Sequence, residues 1–299
     1  MRWGGVMTFN EGMQIDTSTT STSGGGGGRG IAIGGGAGGL LIVVVALLLG
    51  VDPGNILNQH SVPQQSGGPG VDISQCGTGA DANKYVQCRV VATGNSVDAV
   101  WSQLLGSRYR RPHMRLFTDS VNTGCGPADT SVGPFYCPVD KTAYFDTGFF
   151  QVLVDQFGSS GGPLAQEYVV AHEYGHHVQD LLGDIGRAQQ GAQGAGGNGV
   201  RTELQADCYA GVWAHYASTT KEQSTGVPYL EPLSDKDIAD ALSAAASVGD
   251  DRIQKQATGR INPEAWTHGS SAQRQHWFTV GYQTGDPAQC DTYDAADLG

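Results

Sequence analysis

The chain has 299 residues, with 29 acidic against 17 basic side chains and a formal net charge of −12. Such a balance excludes partners recognised by positive charge, nucleic acid above all, because no basic patch is present to neutralise phosphates. Hydrophobic residues make up 39% and there are 46 glycines, many of them in a few tracts, so the whole length does not form one compact domain.

Residues 1–29 are polar and of low complexity, with "TSTTSTS" followed by five glycines. Such a stretch buries too little apolar surface to offset its ordering entropy, and a disordered tail is expected. Residues 30–50 hold Ile31–Leu49, an uncharged apolar run about 28 Å long as a helix, close to the ~30 Å hydrocarbon core of a bilayer. The expectation is a single transmembrane helix. Residues 51–70, with "VPQQSGGPG", read as a linker, and 71–299 as the functional domain, with roughly 225 residues for one sizeable core. Arg29 before the run and Asp52 after it place the N-terminus in the cytoplasm and the domain outside, by the positive-inside tendency.

All six cysteines (Cys76, Cys88, Cys125, Cys137, Cys208 and Cys290) follow the apolar run. An even number on an exported domain suggests disulfides, with fifteen possible pairings. Cys76/Cys88 and Cys125/Cys137 each flank a short loop containing Gly and Asp. These two local pairs are favoured, which leaves Cys208 with Cys290.

Within the domain, "KTAYFDTGFFQVL" (141–153) alternates as a strand leading towards a helix. "PLAQEYVVAHEYGHHVQDLLG" has proline near its start, glycine at its end and apolar residues at helical spacing. His172 and His176, four apart, share one face of that helix; His177 is rotated about 100° away and cannot join them. Imidazole nitrogens suit zinc, and a catalytic site uses three protein ligands and a water. Glu173, beside the first histidine, is placed to take a proton from such a water rather than to ligate. A second helix, "RTELQADCYAGVWAHYAS", carries Glu203 and Asp207 four apart. One carboxylate is expected on the metal and the other on the outer N–H of a ligating histidine. Gly175 suggests the close approach of a neighbouring backbone. Further on, 235–256 reads as a long helix, and "THGSSAQRQHWF" as a loop before a serine-capped helix.

H-E-x-x-H followed by E-x-x-x-D on a second helix resembles the gluzincin metallopeptidases. That resemblance implies Glu203 as third zinc ligand and Asp207 as the residue holding His172. "GPFYCPVDKTAYFD", "HEYGHHVQ", "ELQADCYAGVWA", "GDDRIQKQATG" and "THGSSAQRQHWF" are similar to the bacterial neutral zinc metallopeptidase family, membrane-anchored proteins, over roughly residues 71–295. The likeness implies a zincin-like α+β fold, mostly helical with a small mixed sheet, that binds Zn²⁺ and hydrolyses peptides or proteins. By the same likeness, Tyr144 and Phe145 on an edge strand would contact extended substrate, and His268 would stabilise the oxyanion. Arg274 and Tyr282 are further candidates for such contacts. Two rival readings remain: a zinc-stabilised cell-surface binding module without turnover, and an amidase acting on cell-wall peptides. Glu173 discriminates against the first, because it serves chemistry and not coordination.

Overall fold

The computed structural model describes residues 8–23 and 70–299. The strands are β1 (Thr20–Thr22), β2 (His113–Phe117), β3 (Ser120–Thr123), β4 (Gly126–Asp129), β5 (Phe135–Cys137) and β6 (Thr142–Asp146). The α-helices are α1 (Gly79–Lys84), α2 (Val86–Leu105), α3 (Phe149–Asp155), α4 (Pro163–Leu182), α5 (Asn198–Ala217), α6 (Asp235–Ser247), α7 (Asp250–Thr258) and α8 (Ser271–Thr284). The class is α+β, with one sheet ordered β1-β2-β6-β5 and a separate β3–β4 hairpin. β1, β2 and β6 run parallel, while β5 is antiparallel to β6 at the end of the sheet.

Helix α4 forms where expected. Pro163 occupies its first turn and Gly183, in the left-handed region, ends it. Its middle, from Val170 to Gln179, is buried throughout between α2, α5 and α6. At Gly175 the backbone of α5 comes so close that an added Cβ would lie 3.0 Å from the Ala206 carbonyl oxygen. α5 and α8 cross still more tightly: a Cβ on Gly281 would sit 1.9 Å from the Cys208 carbonyl oxygen. These two glycines set the spacing of the three helices that build the site.

The stretch expected as one helix over 235–256 is broken into α6 and α7 at Val248–Gly249. The break has a use: Asp250, at the start of α7, accepts the backbone N–H groups of Thr267, His268 and Gly269 at 2.7, 2.6 and 3.0 Å. Disulfides join Cys76 to Cys88, Cys125 to Cys137 and Cys208 to Cys290. No cysteine is free.

Two expectations need correction. Residues 8–23, expected within a disordered tail, belong to the domain. Phe9 and Met13 are fully buried, Thr8 bonds through its hydroxyl to the buried carboxylate of Glu167 on α4, and β1 extends the sheet. Composition misled here because a few residues suffice: two apolar side chains and backbone hydrogen bonds to a pre-existing sheet edge offset the ordering cost. The second concerns β6, which lies between β2 and β5 and so is not an edge strand. The proposed transmembrane helix at 30–50 and linker at 51–70 fall outside the described residues, apart from Gly70. Among the described residues no helix is long and apolar enough to cross a membrane.

Phe9→Ala is expected to lower stability by about 3–5 kcal/mol, as for other fully buried phenylalanines. Denaturant melts of the two proteins check this, and coincident midpoints would show that the N-terminal segment contributes nothing to the fold.

Candidate metal centre

His172 and His176 project from α4 towards Glu203 on α5. His172 Nε2 lies 3.2 Å and His176 Nε2 3.6 Å from the two oxygens of the Glu203 carboxylate. One ligand atom from each of the three residues falls within 4.8 Å of the others. His177 is turned away, between the Tyr136 hydroxyl at 3.0 Å and the Arg110 carbonyl at 2.6 Å.

The hydrogen-bond partners decide the tautomers. His172 Nδ1 is 2.9 Å from Asp207 Oδ1, and an ionised carboxylate only accepts, so Nδ1 carries the proton. His176 Nδ1 is 2.8 Å from Gln179 Oε1. The Gln179 amide is held that way round because its NH₂ donates to the Thr202 carbonyl at 2.7 Å and to Gln205 Oε1 at 2.9 Å. With Nδ1 protonated in both rings, the neutral form of each imidazole presents an Nε2 lone pair to the Glu203 carboxylate. Three acceptors facing one another repel unless a proton or a metal ion lies among them. The residues fit a zinc ion in number, type and outer support.

The local charge agrees. Glu173, Glu203 and Asp207 are buried, and the one guanidinium among them is Arg274, bound to Asp207 through Nε at 2.7 Å and Nη2 at 2.9 Å. Three carboxylates against one guanidinium leave two negative charges, the complement of one divalent ion. Burial on its own would lower the His172 pKa, but the charge and hydrogen bond of Asp207, with Glu203, raise it to about 10. A site that would hold a proton so firmly is built for positive charge. Burial tends to raise Glu203, yet His176 and His172 hold its carboxyl well below the usual range.

The triad lines a cleft of about 430 Å³ together with Glu173, His268 and Arg274. Its remaining walls come largely from α3 (Phe149, Val152), the Gly133–Tyr136 segment and Val248. Glu173 is buried beside the histidines, and burial raises its pKa while the two imidazoles lower it less. His268 reaches the wall from the loop that Asp250 pins, with its Nδ1 2.9 Å from Thr267 Oγ1.

Sequence reasoning placed three residues differently. Tyr144 and Phe145 are interior. The Tyr144 ring stacks on Phe135 with centroids 4.9 Å apart and its hydroxyl bonds Asp140, while Phe145 is fully buried in the main core. The cleft is reached instead by Phe135 and Tyr136 of the edge strand β5. Arg274 grips Asp207 and donates to the Tyr168 hydroxyl at 3.1 Å, so it holds the support of His172 instead of projecting to substrate. Tyr168, whose hydroxyl also bonds Asp207, and Gln179 were missed. Gln179 had a signal: it lies three residues after His176, on the same side of the helix.

A family model described as "putative neutral zinc metallopeptidase" matches residues 1–293. The chain belongs to this family. An uncharacterized protein of Mycobacterium tuberculosis strain H37Rv is 79% identical over 294 residues, 98% of this chain and 100% of that relative. The uncharacterized protein YpfJ of Escherichia coli K12 is 39% identical over 249 residues, 82% of this chain and 81% of its own. No solved structure gives a significant match. The family's match includes the N-terminal residues that the structure folds into the domain.

Gln179→Ala is expected to weaken zinc binding about 10- to 100-fold, the usual effect of removing an outer partner of a ligating histidine. Competition with a chromophoric chelator measures it. Unchanged affinity would show that Gln179 does not orient His176.

Proposed function

We propose that this protein is a zinc-dependent peptidase, acting outside the cytoplasm. The observation that carries this reading is the convergence of His172 Nε2, His176 Nε2 and the Glu203 carboxylate, with Glu173 beside them on the cleft wall. A zinc ion held by these three residues would supply the Lewis acidity that polarises a peptide carbonyl and makes a water acidic near neutral pH.

The chain's own residues account for the rest. Glu173 takes the proton of the attacking water and returns it to the leaving amine. Burial suits it to this by raising its basicity, and no hydrogen bond to the described residues occupies it. Asp207 and Gln179 keep His172 and His176 in the tautomers that leave Nε2 free for the metal. Burial alone would lower the His268 pKa, but Asp250 and Glu203 raise it, which favours an imidazolium able to donate to a developing oxyanion. Arg274 is a positioning residue, acting through Asp207.

A peptide substrate fits the surroundings. β5 ends the sheet, with Phe135 and Tyr136 on the cleft, where an extended chain could add as a further strand. The apolar wall formed by Phe149, Val152 and Phe157 favours a large apolar side chain next to the scissile bond. The three disulfides support an oxidising compartment outside the cytoplasm. The run Ile31–Leu49 supports contact with a membrane.

With an unstructured protein as substrate, chelation should abolish cleavage and added Zn²⁺ restore it. Glu173→Ala should keep the metal and cut kcat by about 10²- to 10⁴-fold, the usual contribution of a general base. Glu203→Ala should lose metal and activity together. Cleavage by Glu173→Ala at the wild-type rate, with metal bound, would overturn the assignment of Glu173 as general base, whereas metal binding by the wild-type protein without any cleavage would leave a zinc-stabilised binding module. A peptide set varied at one position should show faster cleavage with Leu or Phe beside the scissile bond than with Asp or Gly. Equal rates across the set would remove the apolar wall from the account.

A further inference from the structure

We infer that residues 8–23 and residues 70–299 lie on the same side of any membrane.

Both flanks of residues 24–69 are locked into one body. On the N-terminal side, the Phe9 backbone N–H donates to Asn83 Oδ1 at 3.0 Å, and Asn83 Nδ2 returns a bond to the Phe9 carbonyl at 2.8 Å. Asp16 and Asn95 exchange a second reciprocal pair at 2.8 and 2.9 Å. Arg111 bridges Asp16 and Asp98, each at 2.9 Å. β1 pairs with β2 along Thr20–Thr22, and the Ser23 N–H continues the ladder to the Leu116 carbonyl at 3.0 Å. On the other side, Val71 and Ile73 pack on the main core, and Cys76 is bonded to Cys88 of α2. The two flanks also touch directly, with Gln14 opposite Thr78 in an antiparallel bridge.

Parity then decides the topology. One crossing puts the two flanks on opposite faces of a hydrocarbon layer ~30 Å thick, and the contacts just described could not form. Two crossings restore them to one face but need about 40 apolar residues as helices. Residues 24–69 contain one such run, Ile31–Leu49, followed by the polar and proline-containing "VDPGNILNQHSVPQQSGGPG". With one crossing excluded by the contacts and two by the number of apolar residues in the sequence, both flanks belong on one side. The orientation read from Arg29 and Asp52, which required a crossing, falls with it.

The test uses the full chain in intact cells. Glu11→Cys and Arg260→Cys each place one thiol at an exposed position, on a background with no free cysteine. Each variant is labelled with a membrane-impermeant maleimide before and after permeabilisation. The expected result is the same behaviour for both, either labelled in intact cells or protected until permeabilisation. Labelling of one and protection of the other in intact cells would overturn the inference. A second variant, Gln14→Cys with Thr78→Cys, joins the two flanks across their bridge. In protein that has formed its three native disulfides, non-reducing mass spectrometry is expected to find the 14–78 cross-link. Native disulfides without that link would also overturn the inference. Neither readout depends on catalysis, so the topology and the proposed peptidase activity stand or fall separately.

Discussion

The interaction on which the structure turns is the confrontation of two imidazole Nε2 atoms with the Glu203 carboxylate, buried between α4 and α5. Side chains of that kind are not gathered out of water without compensation, because an unpaired buried charge is costly. The close approach at Gly175 brings the helices together, and the excess of negative charge then calls for a cation. Helix packing and metal affinity are thus two sides of one arrangement. The same crossing that buries Val178 and Ala206 sets the distance from histidine to carboxylate.

Around this centre the support is layered. His172 is held by Asp207, which is held in turn by Arg274 and Tyr168; His176 is held by Gln179, which is held by Thr202 and Gln205. Every link fixes a proton or an amide orientation, and all of them come from α4, α5 or α8. The N-terminal segment enters the same structure: Thr8 bonds Glu167, the residue before Tyr168 on α4. The N-terminal segment is therefore fastened to the helix that carries the two histidines. The family match reaches that N-terminal segment too.

Much of the site was legible because helical spacing is local. The two histidines, like Glu203 and Asp207, are four positions apart, about one turn, and one turn is enough to say which side chains face together. The cysteine pairs twelve apart were legible for a similar reason, since short loops hold their ends close. Arg274 was misread because its partner, Asp207, is 67 residues away on another helix. Tyr144 and Phe145 were misread because alternation identifies a strand but not its neighbours, and only the pairing with both β2 and β5 makes β6 interior. Residues 8–23 were misread because composition describes what a segment can bury alone, whereas Phe9 and Met13 are buried by a core built elsewhere.

By itself, then, the chain's order of residues determined the two helices that carry the site, the two histidines with the glutamate between them, the carboxylate pair on the next long helix and an even set of cysteines. These rest on interactions within a turn or a short loop. The tertiary structure alone decided which imidazole nitrogen is free, which strand lies at the edge, what Arg274 serves, and that the N-terminal segment and the domain are one body. Each of these depends on contacts between residues far apart in the chain, and such contacts exist only once the core has closed around them.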